Sequence, residues 1–512
     1  VRRLGGLVPV VAASLLVAAC RGRALPPISQ GAPDAGPDAA ADVPIDAIAE
    51  TGNADADAGP HCVNLRCRQA SCALQTACPP CVGGPGVACK VPPCLPGPVL
   101  PIAGCLQDPC PDGGATTVTG RVFDPAGAVP LYNVSVYVPN APLDPVVEGP
   151  SCPRCDSAPS GDPLTSALTD TDGRFTLRDV PVGDGVPIVL ELGTWRRELT
   201  LPHVAACTET RLPDDATLRL PRNAAEGHLP RVAVTTGAGD ALECFLRRVG
   251  IDDAEFTPES GAGRVNLYAG AGGTDRYRAD LNGGAAFTAA PAWWESLADL
   301  QRYDLVLHSC DEVTDAGAET AAARQALDDY AGGGGRVFLT HAHVRWLEHG
   351  TPGFQSVAVF HAPAGLPDPF AASVDVTFPK GAALADWLLE NGASSARAAL
   401  DVHAAFDDVR ATAPAEAQRW LYGAAPAADG ASTLPTVQVM SFQAPVGAEP
   451  ALQCGRVVFA DLHVAAPDRS APDRPFPSGC GAGPLSPQER LMEFLLFDHS
   501  ACVVADSPLQ SR

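Results

Sequence analysis

Two short motifs in the second half of the chain hold residue types that hydrolytic and metal chemistry need. Thr340-His341-Ala342-His343 follows the apolar run Val337-Phe338-Leu339, and Asp461-Leu462-His463 follows Val457-Val458-Phe459-Ala460. Imidazole changes protonation near neutral pH, and imidazole and carboxylate both ligate zinc. Side chains alternate along a strand, so His341 and His343 are expected to share a face, as are Asp461 and His463. If the two pairs meet, three imidazoles and a carboxylate could hold zinc or do acid–base work. Three readings stay open at this stage: a metal or catalytic site, a polar ligand pocket without chemistry, and strand-end histidines hydrogen-bonded for structure. A third apolar run, Leu305-Val306-Leu307, leads into His308-Ser309-Cys310, where Cys310 is expected to pair or pack.

The elements that must position these residues follow from the same runs. Arg231 to Gly237, Tyr303 to Cys310, Arg336 to His341, Val437 to Phe442 and Gly455 to Val464 read as strands. Ala241–Val249, Ala316–Tyr330, Gly381–Leu389 and Ser486–Phe497 read as helices between or after them. Strands alternating with helices imply a mostly parallel sheet over residues 229–503. Ligands of such sheets bind beyond the carboxyl ends of the strands, which is where both His motifs fall. Gly332 to Gly335 lacks a following Lys-Ser/Thr and a helix, so it reads as a helix stop, not a phosphate loop. Trp293 and Trp294 read as core.

This region resembles the class I glutamine amidotransferase-like superfamily, above all its ThuA-like and noncatalytic branches. The matching stretches are Tyr303 to Leu307, Ala326 to His341 and Gly455 to His463. The resemblance implies a nucleophilic cysteine on the sharp turn after the strand ending near Thr340, and the chain has His341 there. It therefore implies a degenerate domain without glutamine hydrolysis.

Upstream, residues 115–222 carry short alternating stretches with turns between them, the pattern of a β-sandwich. Gly120 to Gly127 and Thr169 to Gly183 resemble the carboxypeptidase regulatory-like, transthyretin-like module. That resemblance implies an accessory sandwich without catalytic residues.

The N-terminal portion reads differently. Arg2-Arg3, a short apolar run and Leu16-Val17-Ala18-Ala19-Cys20 resemble the lipobox of bacterial lipoproteins. The resemblance implies a signal peptide over residues 1–19 and lipidation of Cys20; an ordinary secretory signal is the other reading. Residues 20–60 read as a disordered linker: between Gly31 and Pro60 there are seven acidic residues and no basic ones. Residues 61–112 hold nine cysteines with little apolar content, so disulfides must order them. The chain has 18 cysteines in 512 residues, so without Cys20 an odd number remains and at least one thiol is left over within the chain.

The net charge of −24 excludes nucleic acid as a partner. The expected fold is multidomain: a small β-sandwich plus a flavodoxin-like, three-layer α/β domain, with a disulfide-rich stalk. The expected function is that of a bacterial cell-envelope protein, lipid-anchored at the outer membrane. It would be a binding or scaffold protein for carbohydrate or another envelope protein, with the question of enzyme activity left open. The alternative is an envelope hydrolase or sugar-processing enzyme using His341, His343, Asp461 and His463, with zinc as the candidate cofactor on the three histidines.

Overall fold

Continuous apolar runs in the second half of the chain become strands buried on both faces, as parallel strands require. In the computed structural model, which describes residues 110, 113–154, 159–312, 319–362, 365–427, 429, 431–464 and 468–501, they form the centre of a 10-stranded sheet. The strands Val265–Ala269, Val232–Thr235, Leu305–His308, Arg336–Thr340 and Gly455–Ala460 lie side by side and parallel, with the two-residue strand Thr288–Ala289 at the edge. Numbering those five in chain order gives the spatial order 2-1-3-4-5. The order reverses between Val232–Thr235 and Leu305–His308, which makes their carboxyl ends the switch point where ligands of doubly wound sheets bind.

The expectation of a mostly parallel sheet fails beyond Gly455–Ala460. Thr433–Ala444, Ala417–Pro426, Phe370–Val374 and Ala399–Val402 continue the sheet antiparallel. Thr433–Ala444 and Ala417–Pro426 are joined by a short connection with no helix, and a short connection can only join antiparallel neighbours.

Alternate residues of the central strands feed two cores. Leu305, Leu307 and Phe338 pack with the helices Leu242–Val249 and Pro487–Ser500. Val306, Val337 and Phe459 pack on the other face with Ala323, Leu327 and Tyr330 of the helix Ala321–Gly332, and with Trp293. Local chemistry sets the helix ends. The Thr320 hydroxyl accepts the Ala323 N–H, and Ser486 forms a capping box with Glu489. Gly334, at φ +107°, turns the chain from helix to strand where a Cβ would meet the backbone of Ser151.

Residues 113–220 form two small sheets, one of three strands and one of four, with Val118, Leu177, Ile188 and Trp195 between them. These side chains belong to the same continuous core as Leu242 and Phe497 of the α/β part. The Trp387 indole N–H donates to the Pro130 carbonyl at 2.8 Å across the seam. Disulfides add Cys110–Cys207, Cys152–Cys454 and Cys244–Cys480. Cys152 thus pairs across the seam. Cys310 is buried and free. Cys20, the linker and the cysteine-rich segment up to Cys105 lie outside the described residues. No helix among the described residues is long and apolar enough to cross a membrane.

Candidate functional site

The strand Arg336–Thr340 is extended to its last residue, and the chain then breaks sharply. His341 has φ +30° and opens the 3-10 turn His341–Val344. A left-handed φ on a residue with a Cβ is strained, and such strain collects at functional sites. The turn aims the His341 ring over the carboxyl edge of the sheet. It also ends the alternation expected of residues 341 and 343.

His343 consequently points elsewhere. Its Nδ1 accepts the Trp346 indole N–H at 3.1 Å, so its Nε2 carries the proton and donates to the Ser309 carbonyl at 2.8 Å. With both nitrogens committed in a buried pocket, His343 does not join the other candidates. The sequence rule failed because the strand had already ended.

Around His341 three groups meet. Its Nδ1 lies 3.3 Å from the Cys310 Sγ and 3.2 Å from the His463 Nε2. Its Nε2 faces the Asp408 carboxylate at 3.8 Å. Phe406 stacks flat on the ring, with centroids 3.4 Å apart. Cys310 ends the neighbouring strand and is pinned at both backbone groups. Its N–H donates to the Thr340 hydroxyl at 2.8 Å, and its carbonyl accepts the N–H of Gly239 at 3.0 Å. His463 follows the strand Gly455–Ala460, and its N–H donates to the Ala404 carbonyl at 3.1 Å. Glu312, at φ +54° and half exposed, reaches to 3.8 Å from the His463 Nε2.

Asp461 sits behind this group. Its Oδ2 accepts the Asp408 N–H at 2.8 Å, and the two carboxyl groups lie within 4.8 Å of each other. Two buried carboxyls this close cannot both ionise. Burial pushes both upward, and Asp461, with Asp408 beside it, goes well above the ordinary carboxylate range. Burial also draws His341 down to about 3, with a further push from the His463 ring, and raises the Cys310 thiol to about 12. Near neutral pH the pair is a neutral thiol beside a neutral imidazole, without the thiolate–imidazolium of a cysteine nucleophile.

The structure therefore brings His341, His463 and Asp461 into one neighbourhood and leaves His343 out. It adds Cys310, Asp408 and Phe406. Cys310 had a sequence signal, since it ends an apolar strand beside Gly237 to Asp240 at the switch point. Asp408 and Phe406 had none: they lie on the loop after the antiparallel strand Ala399–Val402, which folds back onto residues 461–463. Cys310, His341 and His463 offer one set of close ligand atoms, and His341, Asp408 and Asp461 a second.

No protein-family profile matches the chain, and no curated protein matches its sequence. Among solved structures, the chain is similar to a ThuA-like protein of Bacteroides uniformis, at 12% identity over 52% of this chain and 91% of that one, with a TM-score of 0.25. It is similar to a cytoplasmic protein of Salmonella typhimurium at 13% identity, over 46% of this chain and 88% of that one, with a TM-score of 0.26. A type II cohesin–X-dockerin complex of Acetivibrio cellulolyticus matches 27% of this chain and 85% of its own at 16% identity, with a TM-score of 0.16. Likenesses this slight carry neither fold nor function.

Proposed function

We propose that this chain is a lipid-anchored envelope protein whose α/β domain carries a hydrolytic site centred on His341. The observation that carries this reading is the convergence of the Cys310 thiol and the His463 imidazole on His341 Nδ1, with Asp408 facing the opposite nitrogen. A strained turn one strand from the switch point of a doubly wound sheet, with Cys310 of the switch-point strand against it, is a costly way to hold a merely structural histidine. The strand order 2-1-3-4-5 supports the flavodoxin-like and ThuA-like reading of this domain, and the paired sheets support a carboxypeptidase regulatory-like sandwich. The substrate class that fits an envelope setting is a carbohydrate or a derivative of one.

Glutaminase chemistry is not part of the proposal, because the elbow carries an imidazole and the nearby thiol is neutral. The burial of the Cys310 thiol favours a second reading, a binding or scaffold protein without turnover.

The test assays the full chain against activated glycosides, esters and amides. Turnover that His341→Ala lowers by about 100-fold or more, with melting unchanged, is expected. Absence of turnover in all three classes would leave the binding reading. Cys20→Ser is expected to move the protein from the membrane to the soluble fraction; retention at the membrane would remove the lipid anchor.

A further inference from the structure

Resting on the hydrolytic reading, we infer that Cys310, His341 and His463 form a mononuclear zinc-class metal centre, with the thiolate Sγ, His341 Nδ1 and His463 Nε2 as its protein ligands.

The spacing of the three atoms carries this. A tetrahedral zinc lies about 2.3 Å from sulfur and about 2.0 Å from nitrogen, which puts S and N about 3.5 Å apart and two nitrogens about 3.4 Å apart. Here Sγ and Nδ1 are 3.3 Å apart and Nδ1 and Nε2 are 3.2 Å apart, and all three atoms lie within 4.8 Å of one another. Hydrogen bonding alone satisfies this arrangement poorly. A ring nitrogen has one in-plane position, either a proton or a lone pair, and two partners face that single position of His341. One cation satisfies all three atoms together.

The surroundings fit the same function. Asp408 stands behind His341 on the side away from the thiol, the place of the carboxylate that orients a metal-bound histidine. Phe406 fixes the ring plane. Gly239 closes the near side. A Cβ there would lie 2.9 Å from the Cys310 Sγ, 3.1 Å from the His463 Nε2 and 2.7 Å from the Glu312 Cγ, so only glycine leaves the three side chains room to converge. Three protein ligands with the fourth direction left to water or substrate is the pattern of catalytic zinc, and closed structural sites use four. One sulfur and two imidazoles favour zinc over the hard cations. On binding, the thiol gives its proton to the buffer and the sulfur bonds the cation, so one charge of the metal is balanced within the site.

The test uses the full chain with its disulfides intact, stripped with chelator and reloaded with Zn²⁺ or Co²⁺. One metal per chain is expected by elemental analysis, and the Co²⁺ form is expected to show a thiolate-to-cobalt charge-transfer band in the near ultraviolet. Cys310→Ser should lose that band, and His341→Ala and His463→Ala should lose stoichiometric metal. His403→Ala, at an exposed histidine outside the site, should keep both. Gly239→Ala should exclude the metal without removing a ligand, which keeps the proposal decidable if a ligand variant fails to fold. Asp408→Asn should weaken Zn²⁺ about 10- to 100-fold in a chelator competition. Substoichiometric metal in the parent chain, or a Co²⁺ spectrum unchanged by Cys310→Ser, would overturn the centre. The outcomes separate the two proposals. Bound zinc without turnover keeps the centre and removes the hydrolase, and metal-free turnover that depends on His341 does the reverse.

Discussion

Asp124, in the turn after the first sandwich strand, and Glu493, in the middle of the last helix, are two buried carboxyl groups close enough for each to act on the other's titration. They sit on opposite sides of the seam between the sandwich and the α/β part. Arg490 is the cation whose charge acts on Glu493. Burial raises Asp124 from 3.8 to about 6 and moves Glu493 well above its usual range.

A pH dependence follows from this pair. Both groups hold a proton more tightly when folded than when unfolded, so the folded chain binds more protons and stability falls as pH rises. For Asp124 the loss runs from pH 3.8 through about 6 and is not regained above. Asp124→Asn keeps an oxygen for the N–H groups of Ala128 and Val129 and removes the charge. It is expected to be about 1–3 kcal/mol more stable than the parent at pH 8, with the difference shrinking towards pH 4. Denaturant melts at the two pH values check this; a variant weaker at pH 8 would refute the pair.

The two histidines of the His341-Ala342-His343 motif should separate by phenotype. His343→Ala leaves the Trp346 N–H and the Ser309 carbonyl buried without their partner. It is expected to lower stability by about 2–4 kcal/mol. His341→Ala, which relieves a crowded cluster, should cost less stability and remove the chemistry. Thermal melts run beside the metal and turnover assays distinguish them.

Cys152–Cys454 closes a separation of 302 residues across the seam. Replacing both cysteines by serine is expected to lower stability by about 2–4 kcal/mol, since long loops lose the most unfolded-state entropy when cross-linked. Peptide mapping without reductant should first recover the linked pair.

The capping box at Ser486 also sets the last helix, whose Glu489 pairs with Arg248. Ser486→Ala is expected to cost about 1 kcal/mol. A circular-dichroism melt with no shift would show that burial alone holds that end.

The sequence revealed the central strands because burial on both faces writes itself as unbroken apolar runs, as in Val457 to Ala460. The polar residues at their carboxyl ends were legible for the same reason: each run has to stop somewhere. His341, Asp461 and His463 were found that way. His343 was misplaced because nothing local announces that a strand ends one residue before a tight turn. Asp408 and Phe406 were invisible, since their role comes from a loop returning over fifty residues of antiparallel sheet. Cys310 was readable as a strand end, but a lone thiol declares its neighbours only in three dimensions.

The disulfide pattern has a mechanical consequence. Cys110, the first described residue, is bonded to Cys207 on the sandwich, and the chain from Cys110 through the sandwich strands Thr117–Arg121 and Ser135–Val138 to Cys152 leads by a second bond to Cys454, next to the large-sheet strand Gly455–Ala460. A pull on the chain upstream of residue 110 is therefore delivered through covalent bonds to both halves of the body at once. Tension cannot peel the sandwich away strand by strand before it loads the sheet. Stretched from that end, the body should yield in short extensions, and reductant should convert them into one long unravelling.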